Sequence, residues 1–247
     1  MKGVILAGGS GSRLFPLTRI TNKHLLPIYD RPMVSYSIEA MVKAGVAEIM
    51  VVTGGTHAGE FLRLLGSGHE HGIDRLVYAY QERPGGIAEA LGLARRFVDD
   101  DSLLVMLADN IVERSLAPAV SHFLAQEKGA RILLSRVEEA AHLCQLGVPE
   151  FDDQNRIRRI VEKPEDPPSP YAVTGIYFYD NRVFDVIPTL EPSGRGELEI
   201  TDVNNWFVGE GLMQWEVLAG FWGDAGESID GYYAVNDFVR THGANRV

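Results

Sequence analysis

Gly3-Val4-Ile5-Leu6-Ala7-Gly8-Gly9-Ser10-Gly11-Ser12-Arg13 is the stretch of the chain that decides its fold. The first five residues are small or apolar, and such a short run, bounded by glycines, favours a buried β-strand. The glycines after it allow the backbone to approach a ligand closely, and N–H groups beyond a strand end suit phosphate oxygens. The stretch therefore predicts a strand that leads directly into an anion-binding loop.

Strand patterns alternate with helical patterns through the first half of the chain. Further strands are predicted at 49–53, 76–80 and 103–107, and all of them look buried on both faces. The apolar faces of the intervening helices are formed by Val34, Ile38, Met41 and Val42, ending at Gly45, and by Ile87, Leu91, Ala94 and Val98. This alternation predicts an α/β fold with a Rossmann-like sheet, mostly parallel but mixed, flanked by helices.

The second half of the chain has longer strand candidates. They cover 131–137, 156–161 and 171–179, and a cluster of prolines between 164 and 170 predicts a rigid loop between two of them. Helices near 200–208 and 229–241 close the chain. The simplest interpretation is one continuous domain over 1–247.

Composition limits the function classes. The formal net charge of −11 opposes broad binding to nucleic acid or to anionic lipid, and no apolar run approaches the roughly 20 residues that span a bilayer. The single cysteine, Cys144, allows no internal disulfide, which favours a reducing cytoplasmic setting. An anionic ligand therefore has to meet cations that are concentrated locally.

The glycine-rich loop fits neither of two familiar phosphate-binding patterns. A Walker A loop ends in Gly-Lys-Ser/Thr, and the dinucleotide pattern requires glycine where Leu14 stands. Glycines alone are better explained by a tight connection, but Arg13 and Lys23 follow at short spacing and supply the local positive charge. These two cations favour the phosphate site over the plain turn.

The residues from Leu6 to Leu14, together with Pro16, Thr18, Lys23 and Leu25-Leu26-Pro27, resemble the signature of the sugar nucleotidyltransferases. Within that family the chain is most similar to the thymidylyltransferases that act on glucose 1-phosphate. The resemblance implies a glycosyltransferase A-like nucleotidyltransferase architecture, with about 1–130 as the nucleotide half and about 131–247 as the sugar-phosphate half. It also implies that Arg13 is catalytic and stabilises the leaving pyrophosphate. The nucleotide-binding residues that it implies are Leu6, Gly8, Gly9, Gly11, Ser12, Arg13, Lys23, Gln81, Gly86 and Asp109, of which Gln81 and Gly86 contact the base.

Two aspartates are candidate metal ligands. Asp109 follows the strand at 103–107, where ligands bind in open α/β sheets, and Asp224 lies in a glycine-flanked loop. Carboxylate oxygens suit Mg²⁺, although a lone aspartate is more often a turn former or a helix cap. The resemblance favours the metal, because both positions match metal-binding aspartates of the family.

Sugar-side residues cluster around a second motif, Glu162-Lys163-Pro164. Local sequence alone explains it equally well as a solvated charge pair at the end of a strand. The resemblance, which extends over Tyr171 to Gly175 and Gly194 to Asp202, implies instead that Lys163 is catalytic and holds the sugar phosphate. The implied sugar-binding residues are Asn110, Gly147, Glu162, Lys163, Val173 and Glu197.

The implied activity is Mg²⁺-dependent transfer of a thymidylyl group from dTTP to glucose 1-phosphate, with release of pyrophosphate, by a cytoplasmic homo-oligomer that binds neither nucleic acid nor membrane. Two alternatives stay open. One is the same reaction with UTP or another hexose 1-phosphate, and the other is a catalytically silent nucleotide-sugar sensor. The chain departs from the family pattern at several positions, among them His24 and Glu227, which replace a common glutamine and a common threonine.

Overall fold

The architecture was analysed in a computed structural model that describes residues 1–9 and 11–247, so Ser10 of the glycine-rich loop lies outside the described residues. In chain order, strands β1 to β13 cover Lys2–Ala7, Pro27–Ile28, Arg31–Pro32, Glu48–Gly54, Arg75–Gln81, Leu103–Leu107, Asn110–Val112, Ala130–Arg136, Gly147–Phe151, Ile157–Glu162, Tyr171–Tyr179, Met213–Val217 and Trp222–Asp224. Helices α1 to α9 cover Met33–Lys43, Ala58–Leu65, Ile87–Gly92, Arg95–Val98, Ala117–Leu124, Ala140–Leu143, Val183–Val186, Ile200–Gly209 and Ile229–His242. None of the helices in this part of the chain has both the length and the apolar character needed to cross a membrane.

The main sheet has seven strands in the order β12-β8-β11-β6-β1-β4-β5, counted over the described residues. Strand β1 pairs in parallel with β4 and β6, and β4 pairs in parallel with β5. Strand β11 runs antiparallel to both β6 and β8, so the sheet is mixed. The predicted α/β fold with a mostly parallel, mixed sheet is therefore confirmed.

Strand β1 lies inside the sheet, between β6 and β4, with one core on each face. Val4 and Leu6 point into the layer packed by α3, α4 and α8, whereas Ile5 and Ala7 point into the layer packed by α1, α2 and α5. Successive side chains of a strand alternate between faces, which is why an unbroken apolar run suits a strand covered on both sides. The loop after β1 consequently starts from a rigid base.

A smaller apolar cluster ties the start of the chain to its last helix. Leu14 and Tyr36 pack with Ala225 and with Tyr232 of α9. The hydroxyl of Tyr232 also donates a hydrogen bond to the carbonyl oxygen of Pro27. This cluster places the loop after β1 and the loop after β13 side by side.

Two expectations about the elements were wrong. Strand β5 is an edge strand whose residues are only partly buried, and Tyr80 is 51% exposed, so β5 is not covered on both faces. The helix expected over 87–98 is split into α3 and α4, with Gly92 ending the first and Leu93 exposed. Glycine is a poor interior helix residue, and local periodicity gives no strand order, which explains both errors.

Candidate active site

A cavity of about 340 Å³ opens where the parallel strands of the main sheet end. Gly8 follows β1, Gln81 ends β5 and Asp109 follows β6, and all three line the cavity. Ligands of open α/β sheets bind at the carboxyl ends of such strands. The opposite wall comes from the second half of the chain and includes Glu162 and Glu197.

An inner charge cluster, which we define as Lys23, Asp109 and Asp224, lines the floor of this cavity. The ammonium of Lys23 forms an ion pair with Asp109 Oδ2, and the two side chains are only 13% and 7% exposed. Burial raises the pKa of Asp109, but the charge and hydrogen bond of Lys23, together with those of His24, outweigh burial and hold that pKa well below its usual range. Burial likewise lowers the pKa of Lys23, and Asp109 and Asp224 together more than offset it. Both groups are therefore charged at neutral pH.

Asp224 is brought to the cluster by the pairing of β13 with β7, in which it lies opposite Asn110. The N–H of Ala225 donates to the carbonyl oxygen of Asp109 at 2.9 Å, and the N–H of Gly226 donates to Asp224 Oδ1 at 2.8 Å. Burial, followed by the negative charge of Asp109, raises the pKa of Asp224 to about 7. The geometry thus holds two carboxylates so close that one disfavours ionisation of the other.

The chemistry of this donor set fits a divalent cation. A dication placed between two neighbouring carboxylates offsets the repulsion of their negative charges. Mg²⁺ is commonly held by one or two carboxylates plus substrate phosphates. Within residues 1–9 and 11–247, no group of three or more His, Cys, Asp or Glu side chains is arranged to hold a metal ion. The remaining ligands would accordingly come from phosphate oxygens and water. Asp109 and Asp224 are the residues that would hold the ion.

Asn110 locks Asp109 in place. Its Oδ1 accepts hydrogen bonds from the N–H of Gly175 at 2.8 Å and from Trp222 Nε1 at 2.6 Å, and its Nδ2 donates to Asp109 Oδ1 at 3.2 Å. The side chain is buried. Asn110 therefore links β11, β13 and the loop after β6 while it also lines the cavity that was predicted to hold the sugar.

A charged rim, which we define as Glu162, Lys163, Arg195 and Glu197, lines the part of the cavity that the second half of the chain forms. Thr201 on α8 donates to Glu162 Oε2 at 2.7 Å and so fixes the glutamate. Arg195 is 48% exposed and lies 3.9 Å from carboxylate oxygens of both Glu162 and Glu197. The rim presents two cations and two carboxylates, a mixture suited to a phosphate attached to a polyhydroxylated ring.

Nearly all residues predicted for the site line this one cavity. They are Leu6, Gly8, Gly9, Arg13, Lys23, Gln81, Gly86, Asp109, Asn110, Gly147, Glu162, Lys163, Val173, Glu197 and Asp224. Gly11 and Ser12 are outside the lining; the carbonyl oxygen of Gly11 instead accepts a hydrogen bond from Thr18 Oγ1 at 2.9 Å. Their predicted contact with the nucleotide stays a prediction.

Sequence reasoning missed several lining residues. Arg195 and Thr201 lie within the stretch from Gly194 to Asp202 that resembles the family, but no role was predicted for either residue. His24, which also lines the cavity, was identified only as a departure from the family pattern. His24 is 2% exposed, and burial lowers its pKa, so its ring is neutral beside the Lys23–Asp109 pair. An arginine set among glutamates in a glycine-flanked turn is the signal that could have identified Arg195.

Glu227, the second departure, forms an ion pair with a histidine of α6. Its Oε2 lies 2.7 Å from Nε2 of His142, which belongs to α6. The carboxylate of Glu227 beside the ring is the main cause that raises the pKa of His142. The pair joins the loop of Asp224 to the turn that leads into Gly147.

Fold and site together define a class: an α/β protein with a glycine-rich loop and a carboxylate pair at the strand ends. The chain belongs to the nucleotidyl transferase family, whose model matches residues 2–242. Members of this family generally act with a divalent metal, a nucleoside triphosphate and a sugar phosphate. The family predicted from the sequence is confirmed.

Individual members of the family are similar to this chain over nearly its whole length. Glucose-1-phosphate thymidylyltransferase of Neisseria meningitidis serogroup A is 40% identical over 244 residues, which is 98% of this chain and 83% of the relative. The enzyme of the same name from an Actinoplanes species is 41% identical over 243 residues, or 97% of this chain and 78% of the relative.

Solved structures of nucleotidyltransferases have a similar fold. A Bacillus anthracis protein assigned as glucose-1-phosphate thymidylyltransferase, crystallised with sucrose, superposes with a TM-score of 0.91 at 44% identity, over 97% of this chain and 95% of that one. A UDP-glucose pyrophosphorylase complexed with UDP-glucose has a TM-score of 0.83 at 23% identity, over 97% and 98% of the two chains. The second likeness shows the fold alone.

Proposed function

We propose that this chain transfers a thymidylyl group from dTTP to glucose 1-phosphate, forming dTDP-glucose and pyrophosphate with Mg²⁺. The observation that carries the proposal is the meeting of three chemistries in one cavity: the glycine loop with Arg13, the inner charge cluster, and the charged rim. The names of relatives that are about 40% identical over nearly the whole chain support the choice of nucleotide and sugar.

The nucleotide side of the cavity receives the triphosphate. Gly8 and Gly9 line it without side chains, and Arg13 and Lys23 add positive charge beside them. In this proposal Arg13 stabilises the charge that grows on the departing pyrophosphate. Charge placed in advance where it develops during the reaction is an effective form of catalysis.

The sugar side orients the attacking phosphate. Lys163 and Arg195 hold its oxygens, while Glu162, fixed by Thr201, accepts hydrogen bonds from sugar hydroxyls. A phosphate monoester has a second pKa near roughly 6, so the attacking oxygen is already deprotonated at neutral pH. No side chain is needed as a general base, and the catalytic contribution is positioning together with neutralisation of charge.

Asp109 and Asp224 would hold Mg²⁺, which supplies positive charge between the two phosphate-bearing substrates when it is bound. Each carboxylate is kept in place by neighbours: Asp109 by Asn110 and Lys23, and Asp224 by the N–H of Gly226. These contacts preset the direction of the carboxylates before substrates arrive.

The decisive assay mixes purified protein with Mg²⁺, glucose 1-phosphate and each nucleoside triphosphate in turn, and measures release of pyrophosphate. We expect the highest kcat/KM with dTTP, and we expect release to stop when glucose 1-phosphate is omitted. The highest rate with UTP, or with another hexose 1-phosphate, would replace the named substrates within the same reaction class. Release with none of the triphosphates, in protein that binds nucleotide sugar, would overturn the enzyme in favour of the sensor.

A further inference from the structure

The amide of Gln81, at the nucleotide end of the cavity, is held from one side by two acceptors. Its Nε2 donates to the carbonyl oxygen of Gly86 and to Glu89 Oε1, each at 3.2 Å. A carbonyl oxygen and a carboxylate only accept hydrogen bonds, so the nitrogen of the amide has to face them. This chemistry fixes which end of the amide points into the cavity.

The end that remains is the carbonyl oxygen of Gln81. It faces the start of the glycine loop, because a Cβ on Gly8 would lie only 3.1 Å from Oε1. Gln81 is 9% exposed, and the wall around it is apolar, formed by Leu6, Ile87 and Ala90. Apolar cavity walls next to a hydrogen-bond acceptor suit a heterocycle that carries an N–H.

The carboxylate of Glu89 is held in place by its surroundings. A Cβ on Gly85 would lie 2.1 Å from Glu89 Oε2, so the carboxylate occupies the space that any other residue at 85 would fill. Arg83 donates to the same oxygen from Nε at 3.3 Å and from Nη2 at 3.2 Å. Gly86 has a φ of 101° and passes so close to Leu198 that a Cβ would meet its carbonyl oxygen at 2.4 Å. The pair of glycines thus allows the network that turns the amide of Gln81.

We propose that Glu89 is a positioning residue that selects the nucleobase: it turns the amide of Gln81 so that only a carbonyl oxygen faces the base. The inference rests on the proposed function, since it assumes a nucleotide in this cavity. Thymine and uracil carry an N–H at position 3 and donate to Oε1. Cytosine has a bare acceptor nitrogen there, which would face another acceptor.

The test compares dTTP with dCTP, which differ in the base and share the sugar and the phosphates. We expect the native protein to favour dTTP in kcat/KM by at least about 100-fold, because a buried acceptor opposite an acceptor leaves both unsatisfied. In Glu89→Gln, Arg83 would take the new carbonyl oxygen and leave an N–H facing Gln81. The preferred orientation of Gln81 is then lost, and the dTTP to dCTP ratio is expected to fall about tenfold or more, chiefly through KM.

A second variant, Glu89→Leu, removes the acceptor instead of reversing it and should lower the ratio in the same direction. Glu60→Gln on α2 is the matched control, and its ratio should equal that of the native protein. Melting temperatures establish that each variant is folded. An unchanged ratio in both folded Glu89 variants would overturn the proposal, as would equal losses with the two nucleotides, which indicate a purely structural role.

Failure of this inference and failure of the proposed function are distinguishable. Calorimetric binding of dTTP and dCTP reports the base preference without any turnover, so the role of Glu89 can be tested even in a protein that releases no pyrophosphate. Equal affinity of the native protein for the two nucleotides would contradict the inference alone. Turnover with dTTP together with an unchanged ratio in the variants would leave the proposed reaction in place and remove Glu89 from it.

Discussion

The inner charge cluster and the charged rim face each other across one cavity, yet their charges are held in different ways. Lys23 and Asp109 are 13% and 7% exposed, and each controls the pKa of the other. Arg195 on the rim is 48% exposed and shares several carboxylates, the nearest being Glu199 at 3.0 Å. Buried charges interact strongly because water does not screen them, whereas exposed pairs contribute little to stability.

The difference in burial indicates that the inner charge cluster and the charged rim contribute differently to stability. The charge of each residue in the inner charge cluster is stabilised by its partners in the cluster. We therefore expect substitutions there to change both the stability of the fold and the turnover. Substitutions in the rim should have small effects on the fold, and under the proposed function they should act on the binding of the sugar phosphate. The following predictions test this division, from the largest effect to the smallest.

The largest effect on stability is expected for Lys23→Met. The substitution leaves Asp109 buried without its cation next to Asp224, and breaking a buried pair costs about 3–5 kcal/mol. Arg195→Met on the rim should cost less than about 1 kcal/mol. Urea unfolding of both variants measures the difference in unfolding free energy. Similar losses in the two variants would contradict the division between cluster and rim.

For Lys163→Ala the expected defect is in sugar-phosphate binding. Removal of a phosphate-contacting cation should raise the KM for glucose 1-phosphate by roughly 10–100-fold, in line with the loss of a charged hydrogen bond. The melting temperature should stay close to that of the native protein, because Lys163 is exposed. Lys128→Ala, far along the chain in the turn before β8, is the control. Unchanged KM together with unchanged kcat would remove Lys163 from the site.

Thr201→Val isolates the orientation of Glu162. Valine keeps the shape of threonine and removes the hydroxyl that donates to Glu162 Oε2 at 2.7 Å. One hydrogen bond to a charged group corresponds to about 1.5–3 kcal/mol, so the KM for glucose 1-phosphate should rise about tenfold. The KM for dTTP should not change, and an equal rise for both substrates would show that Thr201 does not act through Glu162.

The smallest effect concerns His142 and Glu227. The folded-state pKa of His142 is raised, so the stabilisation from this pair is fully present below about pH 6.5 and is lost as pH rises through the folded pKa. His142→Gln should therefore lower the melting temperature at pH 5.5 and have no effect at pH 8.5. The pair is partly exposed, which limits its contribution to less than about 1 kcal/mol. A double-mutant cycle with Glu227→Gln measures it, and equal coupling at both pH values would contradict the assignment.

The sequence allowed much of the site to be predicted, because its residues follow strands or sit between glycines. Asp109 directly follows β6 and Gly8 directly follows β1. Ligands of open α/β sheets bind at such strand ends, so these two positions can be recognised from the neighbouring sequence. The same reasoning could not find Glu89 or Thr201, whose importance depends on contacts with Gln81 and Glu162 that only the folded chain brings together.

Errors about the fold have the same origin. The apolar pattern of β5 resembles that of β4, but β5 lies at the edge of the sheet, and strand order is a property of the whole domain. Strand β12 was missed because Met213 to Val217 are only partly buried and contain polar residues, so no clear period marks them.

The proposed function depends on two carboxylates, Asp109 and Asp224, that lie together in the inner charge cluster. Its most direct test is Asp224→Asn at pH 8, with the melting temperature measured without ligands and pyrophosphate release measured with Mg²⁺. The pKa of Asp224 is raised to about 7, so the charged side chain costs stability increasingly as pH rises from its ordinary value to pH 7. We expect a variant that melts at least about 3 °C higher and turns over on the order of 10³-fold more slowly. An unchanged or lower melting temperature with near-native release would contradict this expectation.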